Sequence, residues 1–156
     1  ELWDENFKGL DRYPNVRLVR RFLTQREIAS LHEEHGVFLV PTRGDTQGVS
    51  RDEAMASGLV PVTNSVGAVP EFVDESCAEL CPAEDVDGLA AAVVKLAIDP
   101  MRFEMKSRNA AERVARQSAS ARIIGEELAA LGFADVGQTP CCASPDKREQ
   151  IIERKV

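Results

Sequence analysis

The sequence predicts an α/β fold with about four parallel strands flanked by helices. Short apolar runs alternate with longer stretches whose apolar residues recur at helical spacing, the pattern of parallel strands joined by helices. The run Val37–Val40 is continuously apolar, which is typical of a strand buried on both faces. The predicted strands are residues 16–20, 37–40, 59–63 and 78–81.

Length and charge limit the class of protein. With 156 residues and 17.1 kDa, the chain has the size of one domain with its own core. A net charge of −7 argues against the basic footprint of a nucleic-acid-binding protein, so we expect no nucleic-acid partner. The sequence has no apolar run of membrane-spanning length and no visible signal peptide, which favours a cytoplasmic location.

The first strand and helix are predicted from alternation and capping. Residues 15–19 read Asn-Val-Arg-Leu-Val, which alternates as a strand does. Thr24 and Glu27 have the spacing of a capping box, in which each side chain accepts a hydrogen bond from the other residue's backbone. They predict a helix that ends near Glu34.

The stretch from Pro41 to Gly58 predicts a polar loop between a strand and a helix. Ser50 and Glu53 have the spacing of a second capping box, and Gly58 is the expected end of the helix. In a parallel sheet, this loop lies at the carboxyl end of the strand, where the N-terminus of the helix offers unpaired N–H groups. The stretch therefore predicts a phosphate site.

Two acidic residues frame this phosphate position, Asp45 in the loop and Glu53 in the first turn of the helix. A carboxylate repels phosphate but is a good acceptor for the adjacent hydroxyl groups of a sugar. A ligand with hydroxyl groups on both sides of a diphosphate is a nucleotide sugar. Taken singly, Glu53 is explained by helix capping and Asp45 by a turn, whereas one shared site explains both.

The rest of the chain predicts two further strands and three helices. Pro61 favours a strand start or an edge position for the strand at 59–63, and the following loop returns to the same end of the sheet. Apolar residues at helical spacing predict core-facing helices near 86–98, 100–114 and 123–131. Beyond Gly132 the composition becomes rich in Gly, Pro, Ser and charged residues, which predicts a flexible tail at 133–156.

The sequence DTQGVSRDEAMASG at 45–58, followed by VPVT at 60–63 and Pro70-Glu71, resembles the acidic-pair region of the retaining family-4 glycosyltransferases, which have the GT-B fold. The resemblance covers roughly residues 15 to 115. It implies that residues 1–132 are the C-terminal, donor-binding domain of a GT-B enzyme, lacking its first βα units. This domain would be a partial, Rossmann-like one, and the missing N-terminal GT-B domain would be its partner.

The resemblance also implies roles for individual residues. Asp45, which replaces the commoner glutamate, would face the donor sugar as the catalytic residue, and Glu53 would hold the ribose hydroxyls. The residues expected to hold the diphosphate are Gln47, Gly48, Val49 and Ser50. The base-binding candidates are Arg21, Phe22 and Leu23, although simple packing is an alternative for Phe22 and Leu23.

The function implied is a hexosyltransferase that moves a sugar from a nucleotide-diphosphate sugar to a glycan, lipid or small-molecule acceptor. Transfer would proceed with retention, without a metal or a cofactor, and the full-length enzyme would be cytoplasmic or peripheral to the membrane. We expect the isolated chain to be inactive. One alternative is a noncatalytic nucleotide-sugar-binding or interaction module. A dinucleotide-binding protein is disfavoured, because no G-x-G-x-x-G follows a predicted strand.

Overall fold

The computed structural model of the chain describes residues 7–118 and 120–133. Within these residues, a parallel sheet of three strands is flanked by helices. The strands, in their order across the sheet, are β1 (Val37–Val40), β2 (Val60–Asn64) and β3 (Glu79–Cys81). The helices are a 3-10 turn at Leu10–Arg12, then α1 (Gln25–Glu34), α2 (Val49–Ala56), α3 (Val69–Phe72), α4 (Val86–Ile98), α5 (Pro100–Gln117) and α6 (Ser120–Ala130).

Three of the four predicted strands form, and the prediction of a strand at 16–20 is wrong. That segment has no regular secondary structure in the described chain. The side chain of Arg17 donates to Glu34 of α1, at 3.3 Å between Nη2 and Oε2. The segment is therefore bonded to α1 through side chains, while β1 pairs with β2.

In the described part of the chain, the core consists of two clusters of buried side chains. The first joins β2 and β3 to α4, and its members are Val60, Val62, Cys81, Leu89, Ala92, Leu96 and Phe103. The second joins α2, α3 and the later turns of α5 to the segment before β3, and its members are Met55, Val69, Val73, Cys77, Ala78, Ala110 and Val114. Because α5 contributes to both clusters, it connects the two halves of the core.

The fully buried strand is β2, not β1. Every residue of β2 is buried, whereas Leu39 of β1 is half exposed. The prediction that Val37–Val40 is buried on both faces is therefore wrong, because no residue of β1 is fully buried and Leu39 is half exposed. Pro61 lies near the start of the central strand, and pairing with β3 begins one residue later, at Val62. On the side of β2 that faces β3, the missing N–H of Pro61 therefore removes no hydrogen bond between the strands.

One of the two predicted capping boxes forms. Thr24 and Glu27 exchange backbone and side-chain hydrogen bonds at the start of α1, as predicted. The capping box of Ser50 and Glu53 is wrong, because α2 begins earlier. Its N-cap is Gly48, with a left-handed φ of +70°, and Ser50 already lies within the helix.

Helix α6 does not contribute to the core, contrary to the prediction. Ile123, Ile124 and Leu131 are exposed, and no residue of α6 belongs to either buried cluster of the described chain. The predicted flexible tail falls almost wholly at 134–156, outside the described residues. None of the helices within the described ranges is long and apolar enough to cross a membrane.

Candidate functional site

The loops that leave the three strands are joined by one buried side chain. Asn64, the last residue of β2, is 2% exposed. Its side-chain oxygen accepts a hydrogen bond from Thr42 N at 3.1 Å, and its side-chain nitrogen donates to Pro82 O at 2.6 Å. Thr42 follows β1 and Pro82 follows β3, so Asn64 fixes the relative positions of the loops at the carboxyl end of the sheet.

Asp45, in the loop between β1 and α2, is held through both its backbone and its side chain. Its carbonyl oxygen accepts a hydrogen bond from Ala68 N at 3.0 Å, and Gly67 lies beside it in the loop after β2. Its carboxylate Oδ2 accepts a hydrogen bond from Nη1 of Arg51 at 3.2 Å. The side chain is 24% exposed, so the carboxylate stays accessible to a ligand.

Arg51 is a residue of this site that the sequence analysis missed. Its side chain is 4% exposed. Besides its bond to Asp45, it donates from Nη2 to Gln47 O at 2.6 Å and lies 3.5 Å from a carboxylate oxygen of Asp52. The guanidinium also stacks on the ring of Phe72, 5.1 Å from its centroid. An arginine in a polar first helical turn is expected to be solvent-exposed. The burial of Arg51 depends on its contacts with a loop and with α3, and the spacing of apolar residues in the sequence does not reveal these contacts.

The N-terminus of α2 offers unpaired N–H groups beside Asp45. The first bond of the helix runs from Asp52 N to Gly48 O at 3.1 Å, so the amides of Val49 and Ser50 have no partner inside the helix. Gly48 is required here for two reasons. Its φ is +70°, and a Cβ atom would lie 2.6 Å from Cζ of Arg51. Such an array of amides with the helix dipole behind it is suited to an anion.

Ser50 and Glu53 line a cleft of about 490 Å³. The cleft is bounded by α1, β1, α2 and the segment at 15–19. Among the described residues that line it, the acidic one is Glu53. Most of the other lining residues are apolar, and they include Leu23 and Phe38. A half-buried carboxylate in an apolar cleft next to a helix N-terminus is well placed to accept hydrogen bonds from hydroxyl groups.

His32 of α1 and the C-cap residue His35 line the same cleft. His32 is buried, and its Nδ1 lies 3.2 Å from Oγ of Ser57. Ser57 Oγ in turn donates to the carbonyl oxygen of Glu53 at 3.1 Å. His35 is exposed, and its Nδ1 lies 2.7 Å from Leu31 O. Within the described ranges, no group of three or more His, Cys, Asp or Glu residues is placed to hold a metal ion.

The base-binding candidates lie near a second cleft of about 670 Å³. Arg21 and Leu23 line it, whereas Phe22 lines neither cleft. Phe22 is fully exposed, so the packing alternative is wrong for this residue. Arg21 forms two hydrogen bonds with Glu27, at 2.5 and 3.1 Å. These bonds, with those from the backbone and side chain of Thr24, lower the pKa of Glu27 to about 2.

Apart from Arg21 and Phe22, the predicted site residues fall into two neighbouring groups. Ser50, Glu53 and Leu23 share the cleft between α1 and α2. The other residues lie on the loop before α2 and at its start, outside the lining of both clefts, and they are Asp45, Gln47, Gly48 and Val49. Helix α2 connects the two groups, because the loop amides lead into its N-terminus and Glu53 lies one turn further along it.

Comparisons with known proteins place the chain in a family. The family described as "Glycosyl transferases group 1" matches residues 3–99. A mannosyltransferase of Mycolicibacterium hassiacum, "MMP alpha-(1->4)-mannosyltransferase", is 33% identical over 93 residues, which are 58% of this chain and 23% of that protein. Sucrose-phosphate synthase from Thermosynechococcus elongatus superposes with a TM-score of 0.71 at 23% identity, over 85% of this chain and 34% of that chain. The chain therefore spans a quarter to a third of the length of these relatives.

Proposed function

Because this chain belongs to the group 1 glycosyl transferases and folds as a GT-B Rossmann-like domain, we propose that it is the nucleotide-sugar-binding domain of a retaining, metal-independent glycosyltransferase. The donor is a nucleotide-diphosphate sugar. The acceptor is a glycan, a lipid or a small molecule, and it is bound by a second, N-terminal domain.

The observation that carries the proposal is the position of Glu53. Its carboxylate lines an apolar cleft one turn after a helix N-terminus with free amides. A ribose placed at Glu53 has its diphosphate within reach of the amides at 47–50, since these amides lie at the start of α2 or directly before it and Glu53 lies one turn later. The sugar beyond the diphosphate then meets Asp45, and the base lies toward Leu23, with Arg21 and Phe22 nearby.

The chemistry follows from where charge develops. The bond between the anomeric carbon and the diphosphate breaks, the acceptor oxygen forms the new bond on the same face, and its proton leaves with the diphosphate. Negative charge grows on the diphosphate, where the amides and the dipole of α2 stabilise it. Positive charge grows on the sugar, where the Asp45 carboxylate stabilises it. Because these groups provide the electrostatic stabilisation, the proposal needs no metal ion.

Glu53→Ala tests the proposal. The wild-type chain is first titrated by calorimetry with UDP-glucose, GDP-mannose and ADP-glucose to find a donor that binds. Losing a charge-assisted contact to hydroxyl groups is expected to cost about 1.5–3 kcal/mol, which is a tenfold to hundredfold loss of affinity. Free glucose or mannose, which lacks the ribose, should show no such change.

The control variant is Glu33→Ala, which removes an exposed glutamate of α1 outside the cleft lining. Because Gly48 and not Glu53 caps α2, the thermal stability of Glu53→Ala is expected to stay close to that of the parent. Equal donor affinity in Glu53→Ala and the parent, with both proteins folded, would remove the ribose role.

A noncatalytic nucleotide-sugar-binding or interaction module is the second candidate. In its favour, the residues that the structure brings together around α2 are all ones proposed to bind the donor, and none of them is assigned to an acceptor. Such a module binds a nucleotide sugar with the same residues but catalyses no transfer when a second domain is supplied. Turnover in the presence of that domain separates the two candidates.

A further inference from the structure

We propose that Arg51 is the positioning residue of this site, which holds the Asp45 carboxylate and the amide of Gly48 in the orientation that receives the donor. The inference rests on the proposed function. The Arg51 side chain is bonded to Asp45 and Gln47 of the loop, so it acts on the ligand through these residues.

The guanidinium connects two points of the same loop. Nη1 donates to Asp45 Oδ2 at 3.2 Å, and Nη2 donates to Gln47 O at 2.6 Å. Because the guanidinium is planar and rigid, these two bonds fix the distance and angle between their acceptors. Lysine, with a single ammonium group, does not impose the same geometry.

The guanidinium has no room to move. The ring of Phe72 stacks on it, and Gly48 lies so close that a Cβ atom there would be 2.6 Å from Cζ. Its Nε is buried without a hydrogen-bond partner among the described residues. A buried guanidinium with an unpaired donor is costly, and an apolar side chain would avoid that cost. We infer that Arg51 is present for the loop geometry that it imposes.

Two consequences for the ligand follow from these bonds. Since Oδ2 of Asp45 is bonded to Arg51, Oδ1 is the oxygen left for a sugar hydroxyl. In a trans peptide the N–H points opposite to the preceding C=O. The carbonyl of Gln47 points inward to Arg51, so the N–H of Gly48 points away from the guanidinium, as a diphosphate ligand requires.

A double-mutant cycle on the full chain tests this role. Arg51→Met, Asp45→Asn and the double variant are compared with the parent for affinity toward whichever of UDP-glucose, GDP-mannose and ADP-glucose the parent binds. Arg51→Met is expected to weaken binding about tenfold or more, because it releases both the carboxylate and the loop amide. Asp45→Asn should then change affinity less than twofold in the Arg51→Met background, although it weakens binding clearly in the parent.

Two further variants separate positioning from simple stabilisation. Arg51→Lys keeps the positive charge but loses the pair of guanidinium donors, so it should bind the donor sugar nucleotide nearly as weakly as Arg51→Met. If Arg51→Met does not fold, Arg51→Lys replaces it in the cycle. Arg108→Met is the control, because Arg108 is an exposed arginine of α5 that pairs with Glu104. It should leave donor affinity unchanged.

The outcomes distinguish this inference from the proposed function. If the parent binds no nucleotide sugar, the proposed function fails, and the role of Arg51 fails with it. If the parent binds but the effects of Arg51→Met and Asp45→Asn multiply independently, only the positioning role is overturned. Donor affinity equal to that of the parent in Arg51→Lys also overturns the positioning role, because a positive charge alone would then be enough to hold the loop.

Discussion

The backbone of Gly67 lies against the backbone of Asp45, so that a Cβ atom at residue 67 would be 2.7 Å from the Asp45 carbonyl oxygen. Gly67 also has a φ of +55°, a conformation that other residues adopt at a cost. The loop after β2 therefore supports the loop after β1 by a contact that leaves no space for a side chain.

Gly67→Ala is expected to lower the free energy of unfolding by about 1–3 kcal/mol and to weaken donor binding, because the Asp45 loop must shift to admit the methyl group. Denaturant unfolding and calorimetry measure the two effects. Gly44→Ala is the matched control in the adjoining loop, since nothing lies within 4 Å of a Cβ atom at Gly44. Similar values for the two variants would show that the contact between residues 67 and 45 does not constrain the loop.

Asn64→Ala is expected to destabilise the fold by about 2 kcal/mol or more. It leaves Thr42 N and Pro82 O without their side-chain partner, and each buried group left unpaired costs about 1–3 kcal/mol. Denaturant unfolding measures the loss, and hydrogen exchange should show a less protected Thr42 amide. Ser65→Ala, at the exposed next residue, serves as the control. An unchanged Thr42 amide would argue against a joining role for Asn64.

Local patterns predicted most of the fold. The strands at 37–40, 60–64 and 79–81 agree with the prediction within one residue, because short apolar runs bounded by Gly or Pro carry their own signal. Gly58 marks the end of α2 as expected and has a φ of +80°. The capping box of Thr24 and Glu27 was equally local, since its two partners are three residues apart.

The errors concern features that depend on distant parts of the chain. The alternation at 15–19 is compatible with a strand, but the segment does not pair with the edge strand β1, and its Arg17 is bonded to Glu34 of α1 instead. Burial of Arg51 depends on Phe72, 21 positions later in the sequence. The apolar residues of α6 indicate a helix without specifying what covers it. Of the site, the sequence indicated the acidic pair and the loop but not the arginine between them.

Acid unfolding should report on Glu27. Arg21 and Thr24 lower its pKa from 4.5 to about 2 in the folded chain. A lowered pKa means that ionised Glu27 stabilises the folded state above about pH 4.5 and that this contribution is lost as the pH falls toward 2. Thermal unfolding between pH 2 and 7 should therefore show Glu27→Gln less stable than the parent near neutrality, with the difference narrowing in acid. Glu33→Gln, at an exposed position of the same helix, should follow the parent. Parallel curves for Glu27→Gln and the parent would contradict this assignment.

The chain alone is expected to bind a nucleotide sugar but to transfer no sugar at a useful rate. The site described here has a loop and a helix N-terminus for the donor, and the proposed acceptor site belongs to a second domain. Holding two substrates in reactive geometry supplies on the order of 7–11 kcal/mol of barrier reduction in well-oriented cases. One side of a cleft does not provide this, so slow donor hydrolysis is the most that we expect.

Supplying the proposed N-terminal GT-B domain, in cis or in trans, should allow transfer, measured as product formed and nucleoside diphosphate released. In that assembly Asp45→Asn should lower kcat more than it raises KM, because the main role proposed for the carboxylate is to stabilise charge that develops in the transition state. Glu53→Ala should do the reverse, since ribose is held equally in the ground and transition states. Efficient transfer by the purified chain with no second domain would overturn the two-domain requirement, and a kcat unaffected by Asp45→Asn would remove the catalytic role of that residue.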